Sequence, residues 1–452
     1  MRVVRAIVVS GAVFAGMGAA SFAAGEPGGG PASAAVTAST EGALNAPSTA
    51  AELVRPRAEA ETSPAPGSRE LAKILQNAAD YEAADNYEGA LSVLRKAYDA
   101  GHTEAEIIIA QAVIELESGD AAKASARLGQ ARAKAGDTAE ILLWSAVAAS
   151  AGKDEAKAGE LFAGGLAAAG SDEVALYDLA EKFLRRGAFS VAAALYRRIN
   201  DVYPSESQFD IFSWLHLAAY YGFIDRNGDA ALVLDQARRP IEYSDVEVMT
   251  RAEVEYLVGC FRGKAAIGRG DFEGGVNILR YAAVRLPDGI AADGEIVKAL
   301  AAAGKNDEAD GAYAISERYF RDKVAAAPES GEAYANLAML RAVSGRDLDK
   351  GLKSCDWALR MSPLRPEYLN TRAALLGGLG RYDEALVDVE RAIAIISQPR
   401  WVEPLLFDDL MWRRLDMLEK LGRPRPAAFR TLGEPPTAPG AGSTDAAVKP
   451  AS

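Results

Sequence analysis

The sequence predicts an all-α protein, a superhelical solenoid of about nine helical hairpins closed by a C-terminal helix. Three observations predict it. Small residues, alanine above all, recur in a fixed triad, and the triad repeats with a period of about 34 residues. Each period carries two apolar helical stretches joined by a short turn with Gly or a polar residue, such as Gly119-Asp120, Gly152-Lys153, Gly187 and Gly270-Asp271. The composition is that of closely packed helices: of 452 residues, 49% are hydrophobic, only 8% are aromatic, and 42 are glycine. A solenoid grows by stacking units, so this length need not be divided among separate globular cores.

The chain opens with Met1-Arg2-Val3-Val4-Arg5, then an apolar run from Ala6 to Ala20, then Ser21-Phe22-Ala23-Ala24. Charged, apolar and small-residue regions in that order make residues 1–23 an export signal, cleaved after Ala23. The alternative is an uncleaved anchor, but Gly11, Gly16 and Gly18 make the run weakly apolar for a span of about 20 residues. No Cys follows the run, which argues against a lipoprotein, and no other stretch approaches a transmembrane length. Residues 24–68 are rich in Gly, Pro, Ala, Ser and Thr without a period. Burial cannot offset their ordering entropy, so they read as a disordered spacer. Residues 433–452 read as a disordered tail on the same grounds.

Residues 69–204 hold the N-terminal repeats. Their triads are Ala78, Ala90 and Ala97; Ala112, Ala124 and Ala131; Ala146, Ala158 and Gly165; and Ala180, Ala192 and, as a departure, Ile199. The first member lies on the first helix of each unit. The second opens the second helix, and the third follows two helical turns later on the same face. Where the helices of a hairpin cross closely, only a hydrogen or a methyl fits between the backbones. Residues 205–289 are irregular: Ala218, Ala230 and Ala237, then Gly263, Gly275 and Ala282, with the second-helix positions at longer steps than before. Extended helices or loops are expected near residues 201–210 and 240–248. Residues 290–432 hold Val297, Ala309 and Ser316; Ala338, Gly351 and Ala358; and Ala373, Ala385 and Ala392. The long step from Ala309 to Gly351 implies that the seventh unit's second helix runs on to Ala326. Pro204, Pro287 and Pro363 fall at unit ends, where proline stops a helix. The stretch from Met411 to Leu421 is expected to be a capping helix, with Arg413, Arg414, Glu419 and Lys420 solvating its outer side.

This pattern resembles tetratricopeptide repeats (TPR), most of all in the ninth unit: Ala373, Leu376, Gly380-Arg381-Tyr382-Asp383-Glu384-Ala385-Leu386 and Ala392. The resemblance runs from Glu70 to Gln398, although the family's tryptophan near the start of each unit is mostly missing. It implies a right-handed superhelix whose first helices line a concave face, and the binding of short protein segments there. The family's chaperone-tail clamp of Lys, Asn and Arg on successive first helices is not matched; Glu106, Glu140 and Glu181 make the early units acidic instead.

The formal charge is −13, and loss of a leader carrying Arg2 and Arg5 makes it more negative by two. Nucleic acid and anionic membranes are therefore poor partners. Two cysteines, Cys260 and Cys355, and two histidines, His102 and His216, show no metal or haem spacing, so no cofactor is expected. The cysteines lie on helices several steps apart, at about 8–10 Å per step, beyond the reach of a disulfide at about 7 Å. There is no GxSxG nucleophile motif, and Gly28-Gly29-Gly30 is no phosphate loop. His102 reads as a turn residue and His216 as a packed one. Asp225-Arg226-Asn227-Gly228-Asp229 alternates oxygens as a calcium loop does. Ala230 stands where that loop needs glycine and Gln236 where it needs glutamate, so a turn is expected.

The chain is thus read as a non-enzymatic, exported scaffold or adaptor, periplasmic or extracellular, binding a partner protein or extended peptide on its concave face. Alternatives are an accessory subunit of envelope polysaccharide synthesis or secretion and, of another class, an enzyme. Two candidate sites follow. Asn336 and Asn370, one repeat period apart on first helices, suit a peptide backbone because Asn both donates and accepts. Thr371 adds a hydroxyl, Ala374, Gly377 and Gly378 leave the groove shallow, and Glu332 and Glu367 favour basic residues on the ligand. The bland alternative is a solvated polar face. The second candidate is the most aromatic stretch: Phe209, Phe212, Trp214, Tyr220, Tyr221 and Phe223. It either anchors a partner or packs an irregular joint between repeats, the latter being favoured.

Overall fold

The computed structural model describes residues 66–83, 86–202, 208–243, 249–397 and 404–423, with Phe429 and Leu432. The leader, all but the end of the spacer, and the tail lie outside these residues. Among the described residues there are nineteen helices and no strand. Eighteen helices pair into nine hairpins in chain order. They are α1 (Pro66–Ala83) with α2 (Tyr87–Asp99), α3 (Ala105–Glu117) with α4 (Ala121–Ala135), and α5 (Ala139–Ala151) with α6 (Glu155–Ala168). Next come α7 (Glu173–Arg185) with α8 (Phe189–Val202), α9 (Gln208–Phe223) with α10 (Asn227–Tyr243), and α11 (Arg251–Gly268) with α12 (Phe272–Arg285). The last three are α13 (Ile290–Ala302) with α14 (Asn306–Ala326), α15 (Gly331–Ser344) with α16 (Leu348–Met361), and α17 (Pro366–Gly378) with α18 (Tyr382–Ile396). The remaining helix is α19 (Pro404–Lys420). The chain is a solenoid of tetratricopeptide-like hairpins. No helix among the described residues is long and apolar enough to cross a membrane.

Local chemistry fixes the hairpin turns. In the second and sixth units the first helix ends through Gly119 and Gly270, each at φ 88°, a left-handed backbone that glycine adopts without penalty. Asp120 and Asp271 then cap the second helices, accepting the Lys123 and Gly274 backbone N–H groups at 3.1 and 3.0 Å. Thr250 and Glu253 form a reciprocal capping box at the start of α11.

Every triad position is buried. The steric reason is visible in the sixth unit. A Cβ on Gly263 would lie 3.0 Å from the Gly275 carbonyl oxygen, and one on Gly275 would lie 2.7 Å from the Gly263 carbonyl oxygen. The two backbones of that hairpin touch. The irregular steps are absorbed by long helices. α14 spans 21 residues to Ala326, and α9, α10 and α11 span 16, 17 and 18. First helices of neighbouring units touch (α3 with α5, α7 with α9, α11 with α13, α15 with α17) and so form the inner layer of the array.

The closing helix lies differently from the way its charges suggest. α19 packs on α18, as a cap should, but its other sides lie against α7, α9 and α17, all first helices. Twelve of its 17 residues are buried, which a surface helix with one apolar stripe would not show. The expectation that Arg413 and Arg414 solvate an outer side is corrected. Arg413 is buried between Asn370 and Asp409, and Arg414 is half-buried against Glu390 at 2.5 Å. Only Glu419 and Lys420 are exposed as expected.

Candidate functional site

The inner face of the fourth, fifth and ninth units forms a groove, and α19 lies in it. Asp408, Trp412 and Leu415 stand at i, i+4 and i+7, one face of a helix. The Trp412 ring stacks on Phe223 at 4.7 Å between centroids and meets Phe189 at 4.8 Å. Leu415 fills the space over Gly187, where an added Cβ would come within 3.4 Å of it. Asp409, Arg413 and Met417 form the adjoining face, toward α17. Asn370 Nδ2 donates to Asp409 Oδ2 at 2.7 Å, and Arg413 Nε donates to Asn370 Oδ1 at 2.8 Å. Arg413 Nη2 also donates to Asp409 Oδ2 at 3.0 Å. Beyond the helix, Phe429 reaches Trp144 of α5, with centroids 6.2 Å apart.

The polar centre of the groove is His216 on α9. Its Nδ1 donates to Asp408 Oδ2 at 2.8 Å. Its Nε2 lies 3.3 Å from the Tyr177 hydroxyl and 3.6 Å from Glu181 Oε1. Its ring stacks on Tyr196 at 4.5 Å, and the Tyr196 hydroxyl donates to Glu181 Oε1 at 2.8 Å. Burial opposes the imidazolium, but the charge and hydrogen bond of Asp408 outweigh it and raise the pKa of His216. Burial pushes Asp408 up to about 6 against the pull of His216. Burial, reinforced by Glu181, holds the Tyr177 and Tyr196 hydroxyls well above the usual phenol range. An Asp–His–Tyr chain has the form of a proton relay. Here both ring nitrogens face groups of the chain itself, and the adjoining cavity of about 10 Å³ has room for one water and no substrate.

The expected sites are placed as follows. Asn336, Asn370, Thr371 and Glu367 are buried, not lining an open groove. This corrects the free peptide groove expected at Asn370: both ends of its amide are taken by α19. Thr371 Oγ1 donates back to the Glu367 carbonyl at 2.9 Å, and Glu367 pairs with Arg365 at 3.2 Å. Glu332 is half-buried, and burial raises its pKa against the pull of Arg365. The Asn336 side-chain oxygen has no hydrogen-bond partner among the described residues. In the aromatic stretch Phe212, Trp214, Tyr220, Tyr221 and Phe223 are buried and Phe209 is half-buried. They are packed within the joint between units, and the face of Phe223 is covered by Trp412, so the stretch is not an open partner patch. The sequence reading missed His216, Asp408, Asp409, Trp412 and Arg413 as a set. The signal was the acidic pair Asp408-Asp409 inside an apolar run, since buried charges require partners.

A second concavity, of about 480 Å³, lies between α10, α11 and α12 over Val258, Gly259 and Ile278. Its arginines are paired: Arg238 and Arg262 with Asp235 at 3.4 and 3.5 Å, and Arg285 with Glu255 at 2.5 Å.

No family model and no curated protein matches the chain. Solved structures do. The structure of Naa15/Naa10 bound to HypK-THB matches at 13% identity with a TM-score of 0.28, over 73% of this chain. The chain spans 64% of that protein, less than two thirds of its length. Yeast Tom70 matches at 14% identity and a TM-score of 0.28, over 79% of this chain and 91% of that one. The TPR domain of P58(IPK) matches at 18% identity and a TM-score of 0.21, over 78% of this chain and 98% of that one. Identities and scores at this level say nothing of partner or activity.

Proposed function

We propose that the chain is a non-enzymatic, exported scaffold that binds a helical segment of a partner protein in its inner groove. One observation carries this: a complete 17-residue helix, α19, is seated on α18 and against the first helices of units four, five and nine. A groove that holds one helix by an aromatic stack and paired charges has the features of a helix-in-groove site, which supports this reading. Export is carried by Arg2, Arg5, the apolar run and Ala23.

The test has two arms. N-terminal sequencing of the native protein should begin near Ala24; an intact, cytosolic Met1 would refute export. Cross-linking of the tagged full chain in its native compartment should recover a protein that then binds the purified chain directly. Turnover of a small substrate by the purified chain, with no direct protein binder, would refute the scaffold reading.

A further inference from the structure

The groove and its resident helix differ in how they are held. The two helices of the fourth, fifth and ninth hairpins pack on each other, and their small-residue triads are set by that pairing. α19 lies outside the repeat, and its grip on the inner face runs through specific side-chain pairs. Asp408 meets His216, Trp412 meets Phe189 and Phe223, and Asp409 with Arg413 meets Asn370. Three of these five α19–groove partnerships put a charged group into the interior. Buried ionic pairs add little net stability over apolar packing, yet removing one partner is costly. The helix is therefore held selectively, and on the same chemistry that would recognise a helix from another protein.

We propose that α19 is a displaceable occupant of this groove, and that the external partner is an amphipathic helix repeating its chemistry. On one face it carries a carboxylate, then an aromatic ring four residues on. The carboxylate takes the place of Asp408 at His216, and the ring takes the place of Trp412 against Phe189 and Phe223. Gly187 supplies the notch for an aliphatic side chain one turn later. The inference rests on the reading that the groove binds protein, and adds to it what is bound and what must leave. A tethered occupant acts at an effective concentration on the order of millimolar, so a partner binds only when it outcompetes α19 or when α19 is released. The groove is closed by default.

The test uses the full mature chain and a labelled synthetic peptide with the sequence of residues 404–420. The peptide should bind the Trp412→Ala chain at least tenfold more tightly than the unaltered chain. A peptide carrying the same Trp412→Ala change should bind neither. Equal affinity of the peptide for the two folded chains overturns the proposal. Should Trp412→Ala disturb folding, hydrogen exchange on the unaltered chain decides. Amides of α19 should exchange at least tenfold faster than those of α8 and α9, through an opening that leaves the hairpins intact. Exchange of α19 only together with α8 and α9 overturns the proposal. The two readings fail separately. A captured partner that binds both chains equally sinks this inference alone, whereas peptide binding as expected with no partner from the native source sinks the scaffold reading alone.

Discussion

Two glycines in this array have opposite reasons for being glycine. Gly275 faces the Gly263 carbonyl, so an added Cβ would lie 2.7 Å from that oxygen and 2.5 Å from the Ile267 side chain. Gly129 sits exposed in α4 with nothing within 4 Å of an added Cβ. Gly275→Ala must push two helix backbones apart and should cost about 1–3 kcal/mol, the usual range for overpacking. Gly129→Ala should instead stabilise by about 0.5–1 kcal/mol, because it removes unfolded-chain entropy at no steric cost. Urea unfolding of both variants checks this, and a harmless Gly275→Ala would mean that the hairpin crossing is looser than these distances imply. The thiols give a second test at this scale. Cys260 and Cys355 are buried and unpaired; burial pushes Cys260 up to about 12 and Cys355 higher still. A thiol at such a pKa is unreactive near neutrality. Alkylation should find none in the native chain and two after unreduced unfolding; none after unfolding would mean a disulfide.

At the scale of elements, α19 depends on Arg413. Its guanidinium binds both Asp409 and Asn370 in a site closed to water. Arg413→Ala leaves Asp409 buried beside a half-satisfied amide, and removing one partner of a buried ion pair costs about 3–5 kcal/mol. Replacing Asn370, Asp409 and Arg413 together with Leu, Leu and Met, so that no buried polar group is left without its partner, should recover most of that loss. A single Arg413→Ala as stable as the parent would show that α19 does not sit where Asn370 can reach it. The same helix marks how far the sequence was legible. Positions that recur once per hairpin were readable, because each hairpin needs a small residue where its backbones cross. Even the overlong α14 follows from the spacing of Ala309 and Gly351. The return of α19 to units four and five has no period. It is set by side chains far apart in sequence, such as His216 and Asp408, separated by 192 positions. Asn370 and the aromatic stretch were singled out as unusual for their places, and both turn out to touch α19. Their partner was in the chain, where a residue-by-residue pattern does not look.

The whole molecule differs from an open array, in which each unit meets only its neighbours. α19 ties units four and five to unit nine, and Arg186 of the fourth unit pairs with Glu82 of the first and Glu117 of the second, at 3.5 Å for the latter. Closing the array in this way buries acids. Burial raises Asp210 to about 7, Asp408 to about 6 and Asp293 to about 6, all from an ordinary 3.8. Burial likewise raises Asp409 and Glu82. His216 is also raised, with burial opposing and Asp408 prevailing. Each raised pKa means that the folded chain holds protons the unfolded chain has lost. For the acids that contribution is complete below their unfolded pKa and disappears as pH rises through about 6 to 7. For His216 it is complete below about 6.5 and lost above that. Exposed acids lowered by hydrogen bonds, such as Asp137 with Arg132, work in the opposite direction, but only toward strong acid and under solvent screening. The chain should therefore be more stable near pH 5 than near pH 8, in contrast to proteins whose acids are mostly paired at the surface. The urea midpoint measured across that range should fall as pH rises. Self-repulsion of a chain with a net charge of −13 has the same sign, so the slope alone does not locate the cause. Two substitutions separate them. Asp210→Asn and Asp408→Asn each remove one acid and its buried titration, whereas Asp137→Asn removes an exposed acid, paired with Arg132, that stays ionised across this range. If burial is the cause, the first two flatten the slope and the third leaves it; if repulsion is, all three flatten it alike.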